Sequence, residues 1–234
     1  MNSVNHLLID KAEIIPFSTC TVILFLLMIF GCDRSNPNVL IIGDSISAGY
    51  TPFVREALEG KAVIERIEGN AEHTGTGLNK IHDWLGSDNW DIILFNWGLW
   101  DLCYRHPDAK VYGNRDKING TITNTPDVYR KNLDSIVDIL KNTGAKPIFI
   151  TTTCIPENEA GRFKGDEKIY NEVALEVMAR HRILVYDLYN ISCKVHAKHA
   201  VADGDVHFTT EGYEQLSKGI ITMLERELGY LTTR

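Results

Sequence analysis

The chain has no basic surplus. Its 24 Lys and Arg are outnumbered by 31 Asp and Glu, for a formal charge of −7 at pH 7, and no long run of either sign occurs. This excludes the electrostatic footprint of a nucleic-acid binder, which needs clustered Lys and Arg. No fixed repeat period and no low-complexity tract occur, so solenoids and repeat arrays are excluded. Cysteine is scarce, five in 234 residues, and no two are spaced like zinc ligands. Neither a metal nor a cofactor is therefore expected. No Gly-rich phosphate loop follows the first apolar strand, which argues against a nucleotide binder. What remains is enough chain for one domain of ordinary globular composition, 44% hydrophobic and 24% charged.

One segment stands apart. Thr19–Phe30, TCTVILFLLMIF, is apolar and uncharged. A membrane-spanning helix needs about 20 such residues, so this run suits the core of a signal peptide better. It ends in Ile29-Phe30-Gly31-Cys32, which resembles a bacterial lipoprotein signal, where a small residue precedes the cysteine that is lipidated. Residues 1–37 are expected to be a signal peptide or lipoprotein anchor with a short linker, and Cys32 its lipidation site. Residues 38–234 then form one domain, exported and held at the bacterial cell envelope, touching membrane only through that lipid or apolar segment. Of the other cysteines, Cys20 would be removed, leaving Cys103, Cys154 and Cys193. Three thiols allow one disulfide at most, and buried free thiols are the simpler expectation.

Downstream, apolar runs alternate with helical spacing. Val39–Ile42, Ala62–Ile67, Asp91–Phe95, Pro147–Thr152 and Ile183–Tyr186 read as strands. They are apolar throughout rather than alternating, as in a parallel sheet covered on both faces. Helices are expected to Leu58 after the first strand, over Thr76–Leu85, from Pro126 to a stop at Gly144, over Asp166–His181 and over Thr210–Leu228. Cys103–Thr125 has little periodicity and reads as a long functional loop. In parallel sheets ligands bind beyond the carboxyl ends of the strands, so the residues just after each strand are the informative ones.

Three clusters lie there. The first strand runs into Gly43-Asp44-Ser45 at a helix opening. A serine there can meet solvent where amides favour an anion, but it needs a base to act as a nucleophile. Asp44 and Ser45 also suit plain helix capping. A base occurs at the far end, in Asp203-Gly204-Asp205-Val206-His207. Either aspartate could orient the His207 ring and stabilise its imidazolium. The third strand ends in Asn96-Trp97-Gly98-Leu99-Trp100-Asp101. Gly98 would let backbone approach a ligand. Trp100 could offer its indole N–H or a flat face to a sugar, whereas Trp97 suits the core.

Together, GDSIS, GLWD and DVHFTTEGY resemble the SGNH (GDSL-type) hydrolase family in order and spacing, across nearly all of residues 38–234. The resemblance implies an α/β fold: a flavodoxin-like three-layer α/β/α sandwich on a five-stranded parallel sheet of order 2-1-3-4-5. It implies ester hydrolysis through a serine acyl-enzyme, with Ser45 as nucleophile and His207 as base, then acid. Asp205 completes the triad, with Asp203 as the alternative. Oxyanion and substrate contacts would come from Glu72, Gly98, Trp100, Asp44, Asp101 and Arg105. Three positions depart from the family pattern. Trp100 stands where an oxyanion-binding Asn is usual, Glu72 in GNAEHT where a Gly is usual, and Gly204 where the Asp is usual.

The expected function is a carbohydrate O-acetyl esterase acting on small-molecule or polysaccharide esters. Arg105, His106, Arg115, Arg162 and Lys164 lie in loops after the third and fourth strands. They could serve an acidic sugar or be ordinary solvated surface. A lipase would need an apolar trough beside Ser45. A non-catalytic carbohydrate-binding protein would explain the Trp100 and Glu72 departures.

Overall fold

The computed structural model describes residues 36–232. In chain order the elements are β1 (Asn38–Ile42), α1 (Ser45–Ala57), β2 (Val63–Arg66), α2 (Thr74–Leu85), β3 (Ile92–Phe95), β4 (Tyr104–Arg105), β5 (Thr121–Ile122), α3 (Pro126–Lys141), β6 (Lys146–Ile150), α4 (Asp166–His181), β7 (Leu184–Tyr186), α5 (Tyr189–His199) and α6 (Thr210–Thr232). The main sheet is parallel in the order β2-β1-β3-β6-β7, which is 2-1-3-4-5 when only its own five strands are counted. The apolar run Thr19–Phe30 and Cys32 lie outside the described residues.

Adjacent strand residues Ile41, Ile42, Ile92, Ile93 and Leu94 are all fully buried. Successive residues point to opposite faces, so both faces of the sheet are covered. Helices α1, α5 and α6 pack as one group and α2, α3 and α4 as another, giving the three-layer sandwich. Helix α3 shows the sequence logic well. Thr125 Oγ1 accepts from the Val128 N–H, Pro126 occupies the first turn, and Tyr129, Leu133, Ile136, Val137 and Leu140 form the buried stripe. The strands run in register: Ile42 lies beside Phe95, Phe95 beside Phe149 and Ile150 beside Tyr186. Their carboxyl ends therefore deliver Ser45, Trp100 and the threonines after β6 to one edge.

Two features were not expected. Helix α5 buries only Ser192 among its own residues, so it has no apolar stripe to read. Its start is fixed from elsewhere: Thr151 Oγ1, just after β6, accepts from the Leu188 and Tyr189 N–H groups at 2.9 and 3.1 Å. The segment Cys103–Thr125, expected as a long functional loop without regular structure, contains the antiparallel pair β4 and β5, two residues each. Strands that short leave no period in a sequence. Among the described residues, Cys103 and Cys154 are buried and all three cysteines are unbridged.

Candidate active site

Ser45 opens α1 at the carboxyl end of β1. The turn that presents it is held on both sides. Asp44 is the N-cap, its Oδ1 accepting from the Ile46 N–H at 2.9 Å. Arg66, at the end of β2, donates to the carbonyls of Gly43 and Asp44 at 3.0 Å each and to Ser47 Oγ at 2.9 Å. Sequence reasoning missed Arg66. Its one signal was the charged pair Glu65-Arg66 interrupting the apolar run of β2.

His207 arrives from the loop between α5 and α6. The end of α5 fixes that loop. The Val201 N–H donates to the His207 carbonyl at 3.2 Å, and the Thr209 N–H to the His199 carbonyl at 2.8 Å. His196 Nε2 lies 2.6 Å from the Asp205 carbonyl oxygen and donates to it, because a carbonyl can only accept. The helix that the sequence hid is thus the support of this loop.

The three side chains then meet in line. Ser45 Oγ lies 2.8 Å from His207 Nε2, and His207 Nδ1 lies 2.6 Å from Asp205 Oδ1. Burial pushes the Asp205 carboxyl up, but the His207 amide and ring and the Arg115 guanidinium outweigh it and hold the carboxyl below its ordinary value. An ionised carboxylate only accepts, so Nδ1 carries the proton and Nε2 is left to accept from the serine hydroxyl. Asp203 is elsewhere: its Oδ2 accepts from Asn158 Nδ2 at 2.8 Å. Gly204 has φ +71°, and a Cβ there would stand 2.5 Å from the Asn158 carbonyl oxygen. No side chain fits at that position, so the carboxylate is displaced by one residue, to Asp205.

A cleft of about 150 Å³ opens over Ser45 and His207, lined also by Asp44, Asn70, Trp100, Arg105, Arg115 and Arg162. The oxyanion and substrate assignments need correction here. Glu72 takes the left-handed backbone of the usual glycine, φ 51°. Its N–H, however, donates to Asn70 Oδ1 at 2.8 Å, and its carboxylate turns to Thr76 Oγ1 at 2.9 Å, away from the serine. With its oxygen so engaged, the Asn70 amide nitrogen is the free donor. Asn70 was missed, although it lies in the quoted GNAEHT. Gly98 does not line the cleft; a side chain there would press on Thr152. Trp100 does line it, half-buried, with the Arg105 guanidinium 4.5 Å from its ring centroid. Of the other basic loop residues, Arg115 and Arg162 reach the cleft, while His106 and Lys164 do not.

Asp101 is also corrected, from substrate contact to internal brace. It is fully buried and accepts from Thr74 Oγ1 at 2.5 Å, the Thr74 N–H at 3.0 Å and Asn124 Nδ2 at 2.7 Å. It thereby anchors the start of α2 to the end of β3. Burial pushes its carboxyl up to about 6, against those hydrogen bonds. An unfolded aspartate titrates near about 3.9, so between these values the folded state binds the extra proton. Stability from this group is therefore greatest at low pH and falls as pH rises toward about 6. Urea unfolding of Asp101→Asn beside wild type is expected to show this. The wild-type advantage shrinks by on the order of 2 kcal/mol between about pH 4.5 and 7. A difference that stays constant with pH contradicts the assignment.

A serine hydroxyl bonded to an imidazole that is itself bonded to a carboxylate, at the carboxyl edge of a three-layer α/β sandwich, is an arrangement able to activate the serine as a nucleophile. Residues 41–215 match the GDSL-like lipase/acylhydrolase family, so the chain belongs to that family and is an ester-bond hydrolase. Among solved structures it is similar to the acetyl xylan esterase AlAXEase, at 18% identity over 80% of this chain and 98% of that one, TM-score 0.64. The lipase/acylhydrolase from Enterococcus faecalis is similar at 21% identity over 82% and 96%, TM-score 0.63. Axe2, an acetylxylan esterase from Geobacillus stearothermophilus, is similar at 18% identity over 83% and 95%, TM-score 0.63. At these identities the likeness is one of fold. No curated protein matches the chain.

Proposed function

We propose that this chain is a carbohydrate O-acetyl esterase working through a Ser45-His207-Asp205 acyl-enzyme. One observation carries the reading: the 2.8 and 2.6 Å contacts that link the three side chains at the mouth of a small cleft. His207 Nε2 takes the Ser45 proton as Oγ attacks the ester carbonyl. Asp205 holds the ring and stabilises the imidazolium. The oxyanion is met by the Ser45 N–H at the helix opening, the Asn70 amide and the Trp100 indole N–H, which together stand in for the usual Asn. His207 then protonates the leaving alcohol, and later activates the water that releases acetate.

Cleft size separates the substrate classes. A water occupies about 30 Å³ of liquid, so a cleft of about 150 Å³ takes about five groups of that size. An acetyl group and part of a sugar ring fill it; a long acyl chain would have to run out over the polar rim of Arg105, Arg115 and Tyr112. Acetate release by the full chain from acetylated xylan, pectin and amino-sugar substrates tests the reading. Turnover confined to long-chain acyl esters would replace it with a lipase.

The proposal extends to location. The apolar run before Gly31-Cys32 supports export and tethering to the cell envelope by lipid on Cys32. Cys32→Ser is expected to move the protein from the membrane fraction to the soluble fraction or to leave it unprocessed. Unchanged fractionation and mass would contradict the tether.

A further inference from the structure

The cleft beside Ser45 is basic in a chain whose net charge is −7. Three guanidiniums, those of Arg105, Arg115 and Arg162, line it against one carboxylate, Asp44. That carboxylate is committed as the N-cap of α1. Glu159, fully buried beneath, pairs with both Arg115 and Arg162 and also accepts from the Gly161 N–H. Glu159 is thus shared between two guanidiniums, and the further negative charge that acts on Arg115, that of Asp205, is bonded to His207. Arg162 is buried and spends its Nε–H on the Leu99 carbonyl, which leaves Arg115 as the more exposed of the two.

Arg105 has no carboxylate at ion-pair distance among the described residues. It donates to the Gly113 carbonyl and to Thr123 Oγ1, and its plane lies over Trp100. All three partners are neutral. Burial lowers its pKa most; the Cys103 thiol and Glu72 pull it up, while Arg162 and Arg115 push it down. A half-buried cation without a counter-charge costs stability. A guanidinium fixed on three sides is also pre-organised for a planar oxyanion. Tyr112, 86% exposed at the same mouth, offers a flat face to a sugar ring.

We propose that Arg105 and Arg115 bind an oxyanion, carboxylate or sulfate, carried by the acylated glycan, so that acidic rather than neutral carbohydrate is the substrate. This rests on the esterase reading and adds its substrate class.

The test uses the full chain with Ser45→Ala, so that ligand is bound without turnover. Calorimetric titration compares an oligogalacturonide, a sulfated galactan oligosaccharide and a xylo-oligosaccharide of equal length. At least one anionic ligand is expected to bind about 10-fold or more tightly than the neutral one, or about 1.4 kcal/mol. The advantage should shrink as salt approaches about 0.5 M. Whichever anion wins identifies the source of the charge. Adding Arg105→Gln should erase the advantage, and Arg105→Lys should restore part of it. If the Arg105→Gln protein loses its melting transition, Arg115→Gln takes its place. Equal binding of all three ligands, binding of none, or an advantage that survives the Gln variants overturns the subsite. Aryl acetate turnover by the wild type reads the esterase separately. Its presence with no charge preference sinks the subsite alone, and its absence sinks the esterase reading itself.

Discussion

Ser45→Ala removes ester turnover by about 10⁴- to 10⁶-fold in kcat while leaving the fold intact. The size follows from the serine's place. Its Oγ is the atom 2.8 Å from the His207 acceptor, and the one other hydroxyl among the residues lining the cleft is the exposed phenol of Tyr112. The cap that holds the turn belongs to Asp44 and Arg66, so the truncation removes chemistry rather than support. What survives should be the residual effect of the oxyanion donors and of binding, on the order of 10³-fold over water. The check is initial-rate kinetics on aryl acetate, with thermal melting beside it. A variant that retained more than about a tenth of wild-type kcat would exclude Ser45 as the nucleophile.

Asp205→Ala is expected to cost about 10⁴-fold in kcat, and Asp203→Ala less than about 3-fold. The contrast is large because the two aspartates, two residues apart, have different partners. Asp205 Oδ1 takes both the His207 ring, at 2.6 Å, and the His207 N–H, at 2.9 Å. Without it the ring is free to take the other tautomer, in which Nε2 carries a proton and cannot accept from Ser45. Asp203 only ties the loop to Asn158. Its loss should appear in melting temperature, if anywhere. The pH profile adds a second check. Asp205 is held below its ordinary value, so it stays ionised across the neutral range and should add no limb of its own there to the pH profile of kcat/KM. Equal losses from the two aspartate variants would contradict the geometry.

Legibility in the sequence was uneven, for physical reasons. The central strands and α3 could be read because β1 and β3, parallel and buried on both faces, are almost wholly apolar, and because Thr125-Pro126 followed by a 3.6-residue stripe leaves little choice. Ser45 and His207 could be found because each directly follows a strand or precedes a helix in a recurrent local motif. Helix α5 could not, because its start is capped by Thr151 from the segment just after β6 and its residues bury almost nothing. The choice between Asp203 and Asp205 depended on the φ of Gly204 and on the Asn158 carbonyl behind it, a contact across 46 residues of chain (204 − 158). Asp101 carried the wrong role for a related reason. Its position after β3 suggested a ligand contact, but Thr74 and Asn124 enclose it. Asn70 was in plain sight, yet only the left-handed turn at Glu72, which spends that residue's N–H on Asn70, brings its amide to the cleft.

The most direct test of the central claim is covalent. A monoalkyl phosphonate ester carrying a good leaving group, incubated with the full chain, should give one adduct, on the peptide containing Ser45. Mass spectrometry reads the site, and the rate of labelling should fall by about 10³-fold or more in His207→Ala. Esterase turnover that proceeds with Ser45 unlabelled, or a labelling rate indifferent to His207, would contradict the account.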